Sequence, residues 1–126
     1  MTRAQRYSQP LACLFIDADH FKRINDEHGH PAGDQVLVAL AQRLRMRLRA
    51  SDLATRYGGE EFVIILPDSD KHAATAIAER LRARMEHDPI PVSGGQKHLT
   101  ITISLGVASA QGPQDTAEAI LKRADE

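Results

Sequence analysis

Acidic side chains stand at two points of this sequence where an apolar run meets a turn. Asp17 and Asp19 come at the end of an apolar run that starts at residue 11, and Glu60 and Glu61 follow Gly58-Gly59 and open another. Carboxylate oxygens are hard ligands, and Mg²⁺ is commonly held by one or two of them together with phosphates and water. An Asp-x-Asp pair alone is weak evidence for a metal, because most such pairs are solvated loop residues. A metal site at these acids therefore requires a fold that brings the two acidic segments together.

The apolar patterns predict elements in the order β, α, α, β, β, α, β, α. Strands are predicted over residues 11–17, 53–57, 60–66 and 99–108, and helices over residues 20–28, 70–87 and 116–123. A longer helix after the turn signals Gly29, Pro31 and Gly33 carries leucines at positions 37, 40, 44 and 48. The Gly58-Gly59 pair predicts a tight two-residue hairpin, because such turns need positive φ. Ser93-Gly94-Gly95 predicts a further turn, interpreted as the tip of a small hairpin.

Without the short second helix and the last one, this order is βαββαβ, the ferredoxin-like α+β arrangement. It has a central antiparallel sheet flanked by helices. In that topology the first strand ends where the third begins, and the two strands run antiparallel side by side. Asp17 should therefore lie beside Glu60. Two carboxylates held together repel unless a cation lies between them, so the topology by itself predicts a metal site.

Composition narrows the class of protein. The 126 residues carry 16 basic and 17 acidic side chains, a net charge of −1, and 4% aromatic residues. A nucleic-acid-binding domain would show a basic excess, and a ferredoxin-like RNA-binding domain would also need aromatic side chains on its central strands. Cys13 is the only cysteine, which excludes an internal disulfide and favours a reducing, cytoplasmic setting. No apolar stretch approaches the length of a membrane span, so any membrane anchor of the full-length protein would lie outside this sequence.

Several ordered motifs resemble those of the GGDEF family, the bacterial diguanylate cyclases. They are Asp17-Ala18-Asp19-His20-Phe21-Lys22-Arg23-Ile24-Asn25-Asp26, Gly29-His30, Gly33-Asp34, and Arg56-Tyr57-Gly58-Gly59-Glu60-Glu61-Phe62, where the hairpin reads GGEEF. The resemblance covers nearly the whole chain. It implies a palm-like nucleotidyl cyclase fold in a single domain, and an enzyme that joins two GTP molecules into cyclic di-GMP and two pyrophosphates.

The resemblance also implies a role for each matching residue. The metal ligands for Mg²⁺, or Mn²⁺ in its place, would be Asp17, the backbone carbonyl of Ala18, and Glu60. Glu61 would help to activate the 3′-hydroxyl or support the metals. The remaining substrate contacts would be Lys22 with phosphate, Asn25 and Asp34 with the guanine edge, and Gly58 and Gly59 with the phosphates through their backbone. Because each domain holds one GTP, catalysis would need a second copy of the domain.

Simpler interpretations stand beside these roles. Asp19 is as well explained as the cap of the following helix as by a place near the metal. Lys22 and Asp26 are spaced to form an i,i+4 surface pair. Asn25 and Asp34 are also typical of a loop and of a helix start, where the helix dipole favours an acid.

A second site is predicted at Arg49-Ala50-Ser51-Asp52. An Arg-x-x-Asp sequence is common by chance, but its position before the hairpin matches the inhibitory product site of the family, where cyclic di-GMP arrests the enzyme. Arg80 is a further candidate contact. A simpler interpretation is that Arg49 stabilises the end of a helix through the helix dipole.

Both ends depart from the family pattern, which usually has an opening Asp-x-Leu-Thr segment and a later lysine and arginine that bind the triphosphate. Lys122 and Arg123 come too early to replace them. We therefore expect a domain trimmed at both ends and weakly active or inactive by itself, with an upstream sensor or receiver domain in the full-length protein. The alternative function is a non-catalytic regulatory domain that binds GTP or cyclic di-GMP, although receptors derived from this family usually lose the acids found here at positions 17, 60 and 61.

Overall fold

The computed structural model describes residues 10–110, and within that range the chain forms six strands and three helices. In chain order these are β1 (Leu11–Ala18), α1 (Phe21–His28), α2 (His30–Met46), β2 (Leu53–Arg56), β3 (Glu61–Pro67), α3 (Lys71–His87), β4 (Ile90–Val92), β5 (Lys97–Leu99) and β6 (Ile103–Ser109). The predicted helix over residues 116–123 lies outside the described residues. None of the helices between residues 10 and 110 is long and apolar enough to cross a membrane.

The main sheet has the strand order β2-β3-β1-β6, and every neighbouring pair is antiparallel. β1 lies in the centre, paired with β3 on one side and β6 on the other, and all but one of its residues are buried. This is the predicted ferredoxin-like arrangement, with β4 and β5 added as a separate two-stranded hairpin. β1 ends beside the start of β3, which is the feature that positions the site.

The helices bury one face of the sheet in a single hydrophobic core. Leu14 and Ile16 of β1 and Ile64 of β3 are fully buried there, against Leu40 of α2 and Leu81 of α3. The opposite face carries a smaller cluster, which includes Cys13 and explains why that thiol is buried. A central strand packed on both faces is held firmly, so its terminal residues have a defined position.

α2 begins earlier than the sequence predicted. We expected a turn through Gly29, Pro31 and Gly33, but only Gly29 forms it, with φ of +90° and its N–H donating to the carbonyl of Asn25. Helix α2 starts at His30, with Pro31 in its first turn. Proline fits there because the N–H groups of the first turn have no acceptor within the helix. Gly33 therefore lies inside the helix.

The Gly58-Gly59 hairpin also differs from the prediction. The N–H groups of Tyr57 and Gly58 both donate to the carbonyl of Glu61, so the loop is wider than two residues, and neither glycine has positive φ. A tight primed turn was therefore the wrong prediction for this loop. The small hairpin at residues 93–95 was predicted correctly, and it does use positive φ at Ser93, Gly94 and Gly95.

The predicted long last strand over residues 99–108 is divided in two. Lys97–Leu99 pairs with β4, whereas Ile103–Ser109 joins the main sheet beside β1. Residues 100–102 connect the small sheet to the main one, and Ile101 among them is buried in the core. Alternation of apolar and polar residues continues through this segment, which is why the sequence pattern did not reveal the break.

Candidate active site

The end of β1 and the start of β3 form the centre of the site. Asp17 lies opposite Glu61 in the β1–β3 register, and the N–H of Ala18 donates to the carbonyl of Glu60 at 3.2 Å. The structure therefore brings Asp17 and Glu60 together, as the topology predicted. The same pairing directs the backbone carbonyl of Ala18 towards the β3 side, because N–H and C=O of one residue in a strand point to the same neighbour.

These acids form a cluster of negative charge. Partial burial raises the pKa of Glu60 above its ordinary value, and the charges of Asp17 and Glu61 raise it further. Partial burial likewise raises the pKa of Asp17, with a smaller contribution from Asp19. Among residues 10–110, no basic side chain pairs with Asp17 or Glu60. A bound cation would relieve this repulsion, and the electrostatics of the site therefore favour one.

The donor set fits a hard divalent cation that shares its ligands with a bound phosphate. Two carboxylates, of Asp17 and Glu60, and the carbonyl of Ala18 converge, and within the described range no group of three acidic, histidine or cysteine side chains forms a closed metal cage. Mg²⁺ typically uses one or two carboxylates and completes its shell with phosphate oxygens and water. An open set of this kind therefore suits Mg²⁺ better than a structural zinc site.

The hairpin tip is held by the side chain of Arg56. The guanidinium of Arg56 donates to the carbonyls of Gly58 at 3.2 Å and Gly59 at 3.1 Å. A Cβ on Gly58 would come within 2.9 Å of Oε1 of Glu61, whereas one on Gly59 would meet nothing within 4 Å. A side chain at position 58 would therefore need only a small shift of the Glu61 carboxylate, and position 59 leaves its side of the loop open. The role of Arg56 was not predicted, although its place next to the hairpin was a signal for it.

Asn25 and Asp34, the predicted guanine contacts, lie on two helices that pack against each other. The Oδ1 atom of Asn25 is buried without a hydrogen-bond partner and lies against Gly33, where a Cβ would stand only 1.8 Å from it. Asp34 is exposed at the next position, past the first turn of α2, so the helix dipole does not account for it. In this arrangement the Oδ1 atom of Asn25 faces Gly33 and not solvent.

Lys22 is exposed in the first turn of α1 and forms no ion pair with Asp26. The i,i+4 pair on this helix instead joins Arg23 to Glu27 at 2.8 Å. The expected surface pair was therefore wrong, and the ammonium of Lys22 is available on the same helix as Asn25.

Asp19 neither caps α1 nor joins the open donor set. The N-cap position is His20, in the left-handed region, and it makes no side-chain cap. Instead, Oδ2 of Asp19 accepts a hydrogen bond from the hydroxyl of Thr102, and Oδ1 accepts one from the hydroxyl of Ser104 at the start of β6. Sequence reasoning missed these hydroxyls, because no local signal links positions so far apart.

Arg49 and Asp52 form a closed pair at the other end of the β2–β3 hairpin. The guanidinium donates to Asp52 Oδ1 at 2.9 Å and Oδ2 at 3.2 Å, and also to Pro67 O and Ser69 Oγ. The Asp52 side chain is only 2% exposed, whereas that of Arg49 is 52% exposed. Arg49 lies beyond the end of α2 at Met46, so stabilisation of that helix end does not explain it.

Arg80 does not join this pair. It lines a groove of about 580 Å³ between α2 and α3, with Arg47, Arg84 and His87, over an apolar floor that includes Leu81. Within the described residues, no hydrogen bond or ion pair connects Arg80 to Arg49 or Asp52. The structure thus brings together two of the three residues predicted for the inhibitory site.

Comparison with known proteins agrees with this geometry. The family that matches is described as "Diguanylate cyclase, GGDEF domain" and covers residues 1–126. Response regulator PleD of Caulobacter vibrioides is 50% identical over 124 residues, which make up 98% of this chain and 27% of that protein.

Two solved structures superpose closely. The active GGEEF domain of a diguanylate cyclase from Vibrio cholerae has a TM-score of 0.85 at 36% identity, covering 98% of this chain and 76% of that one. The GGDEF domain of DgcB from Caulobacter crescentus in complex with c-di-GMP has a TM-score of 0.88 at 30% identity, covering 97% and 71%.

The antiparallel sheet and its flanking helices match those of solved GGDEF domains. The chain belongs to the diguanylate cyclase GGDEF domain family. It spans about a quarter of the length of the PleD relative that it matches.

Proposed function

We propose that this chain is the catalytic domain of a diguanylate cyclase, which condenses two GTP molecules into cyclic di-GMP and two pyrophosphates. One observation carries the proposal: the carboxylates of Asp17 and Glu60 converge beside the GGEEF hairpin without a basic partner among residues 10–110. The family match and the likeness to the active GGEEF domain from Vibrio cholerae support it.

In this proposal Mg²⁺, or Mn²⁺ in its place, is held by Asp17, Glu60 and the carbonyl of Ala18. When bound, it supplies neutralisation of triphosphate charge and activation of the attacking hydroxyl. The two carboxylates must both be ionised to hold it, and their mutual repulsion in the free protein is relieved on binding. Glu61, the next residue after Glu60, would support the metals or take the proton of the 3′-hydroxyl.

The substrate contacts divide between the helices and the hairpin. Asn25 and Asp34 contact the guanine edge, where a carboxylate accepts from N1–H and the exocyclic amino group, donors that adenine does not present. Lys22 pairs with phosphate, and Gly58 and Gly59 allow close backbone approach. The packing of α1 against α2 and the exposure of Asp34 support this assignment.

The chemistry requires a second copy of the domain. The 3′-oxygen of one GTP forms a bond to the α-phosphorus of the other, the bond to pyrophosphate breaks, and the hydroxyl proton leaves. The same step with the roles exchanged closes the ring. Because one domain offers one nucleotide site, two domains must face each other, and we infer that an upstream sensor or receiver domain brings them together in the full-length protein.

We also propose that cyclic di-GMP inhibits the enzyme at Arg49, Asp52 and Arg80. The half-exposed guanidinium of Arg49 offers donors to a phosphate, and Arg80 lines a groove with Arg47, Arg84 and His87 that adds positive charge. The Asp52 side chain is only 2% exposed, so a contact of the product with Asp52 would require Arg49 to turn outwards.

The test is synthesis of cyclic di-GMP by the full-length protein incubated with GTP and Mg²⁺. We expect product from the wild type, and a loss of about 100-fold or more in Glu60→Gln, because the lost charge weakens metal binding. Glu86→Gln, an exposed acid on α3, is the matched control and should retain activity. Equal output from the wild type and Glu60→Gln would remove Glu60 from the mechanism. Tight nucleotide binding without product would favour the regulatory alternative.

A further inference from the structure

Three hydrogen bonds join Asp19 to Thr102 and Ser104, which are distant in the sequence. Its Oδ2 accepts from the hydroxyl of Thr102 at 2.8 Å, its Oδ1 accepts from the hydroxyl of Ser104 at 2.6 Å, and its backbone N–H donates to the carbonyl of Thr102 at 2.9 Å. The partners lie 83 and 85 residues further along the chain. These bonds are tertiary contacts that join the turn after β1 to the segment entering β6.

The backbone bond fixes the peptide group between Ala18 and Asp19. That group is planar and trans, so its C=O points opposite to its N–H. Because the N–H of Asp19 is held by Thr102 on the β6 side, the carbonyl of Ala18 is directed to the β3 side, where Glu60 lies. The N–H of Ala18 donates to Glu60 on that same side. The backbone of this turn is therefore hydrogen-bonded on both sides, to Thr102 on one side and to Glu60 on the other.

The side-chain bonds control where the carboxylate of Asp19 lies relative to Asp17. Asp19 lies in the turn directly after β1, and Ser104 lies directly opposite Asp17 in the β1–β6 register. The hydroxyl of Ser104 bonds to Asp19, and that of Thr102 holds the second oxygen. Without these donors, the carboxylate of Asp19 would be free to turn and compete with Asp17 for a cation.

We propose that Asp19, held by Thr102 and Ser104, is a positioning residue of this site, which fixes the Ala18 carbonyl and the Asp17 carboxylate in the orientation that holds the divalent ion. The proposal rests on the proposed function. Groups that orient metal ligands in this way typically affect metal affinity or activity by about 10–100-fold when they are removed.

The test measures Mn²⁺ binding by the protein in the presence of a GTP analogue with an uncleavable α–β bridge, by electron paramagnetic resonance. Removing both hydroxyls in Thr102→Val/Ser104→Ala should raise the Kd for Mn²⁺ by about 10-fold or more. The hydroxyl-retaining variant Thr102→Ser/Ser104→Thr should bind Mn²⁺ as the wild type does. Thr100→Val, which removes an exposed hydroxyl nearby, is the control.

Thermal unfolding of each variant separates positioning from stability. A lower melting temperature in Thr102→Val/Ser104→Ala with an unchanged Kd for Mn²⁺ would overturn the positioning role and leave the proposed function intact. A wild type that binds no Mn²⁺ with the analogue and makes no cyclic di-GMP would overturn the proposed function, and this role with it.

Discussion

Gly33→Ala tests the packing that positions Asn25, the proposed guanine contact. A Cβ at this position would stand 1.8 Å from Asn25 Oδ1 and 3.2 Å from Phe21 Cζ. The Asn25 side chain would therefore have to retreat by about 1.2 Å to reach the 3.0 Å below which real contacts of this kind are almost never seen. Overpacking of this kind costs about 1–3 kcal/mol. Replacing glycine by alanine in a helix gains about 1 kcal/mol, so the net effect on the free energy of unfolding should be a loss of about 0–2 kcal/mol.

A double-mutant cycle isolates the cause of that loss. In the Asn25→Ala background the contact at 1.8 Å is removed and only the close approach to Phe21 Cζ at 3.2 Å remains. Gly33→Ala should then stabilise the protein by about 0–1 kcal/mol through helix propensity. Urea unfolding of the four proteins measures this change of sign. Displacing Asn25 should also weaken binding of a fluorescent GTP analogue by about 10-fold, the equivalent of one hydrogen bond. Equal stabilisation in both backgrounds, with unchanged affinity for GTP, would show that no clash between Asn25 and a side chain at position 33 exists.

Three further predictions concern stability. In metal-free buffer at pH 7, Glu60→Gln should raise the free energy of unfolding by about 0.5–1 kcal/mol, because the raised pKa of Glu60 means that its charge opposes folding. That gap should close as the pH falls through the folded-state pKa of Glu60 and the wild type becomes protonated; a gap independent of pH in urea titrations would contradict this. Arg49→Ala should cost about 2–3 kcal/mol in urea unfolding, since it leaves the covered carboxylate of Asp52 unpaired, and Arg49→Ala/Asp52→Ala should cost less than the sum of the two single changes. Asp70→Ala should lower the melting temperature through a loss of about 1 kcal/mol, because Asp70 caps α3 by accepting from the N–H of Ala73 at 2.8 Å; an unchanged melting temperature would argue against the cap.

The sheet topology and the meeting of Asp17 with Glu60 were predictable because both follow from the order of elements. Once two strands must run antiparallel side by side, the residues at their adjoining ends are brought together whatever the loops do. The last residues of a buried strand are therefore among the positions that a sequence pattern places well.

Local geometry was less predictable, for reasons that differ from place to place. The Gly58-Gly59 loop avoids positive φ because its shape is set by two bonds to the carbonyl of Glu61 and by the side chain of Arg56. The break before β6 falls in an unbroken alternating pattern. The contacts of Asp19 join residues more than eighty positions apart, and periodicity carries no information about such pairs.

The predicted inhibitory site shows the same limit of prediction from local sequence. The resemblance predicted that Arg49 and Asp52 act together, and they form an ion pair across the two loop residues that separate them. Their spacing did not reveal that Asp52 is covered by Arg49, nor that Arg80 lies in a different groove. Burial and the relation between separate elements depend on tertiary packing, which local sequence does not fix.

The most direct test of the metal centre is paramagnetic broadening of backbone amide signals by Mn²⁺, in the protein bound to a GTP analogue with an uncleavable α–β bridge. We expect the strongest broadening at Ala18 and Gly59, and weak broadening at Ser51, which lies at the far end of the β2–β3 hairpin, about 20 Å away. We also expect Glu60→Gln to abolish the effect at equal Mn²⁺ concentration. Broadening centred elsewhere, or unchanged in Glu60→Gln, would contradict the claim that Asp17 and Glu60 hold the ion.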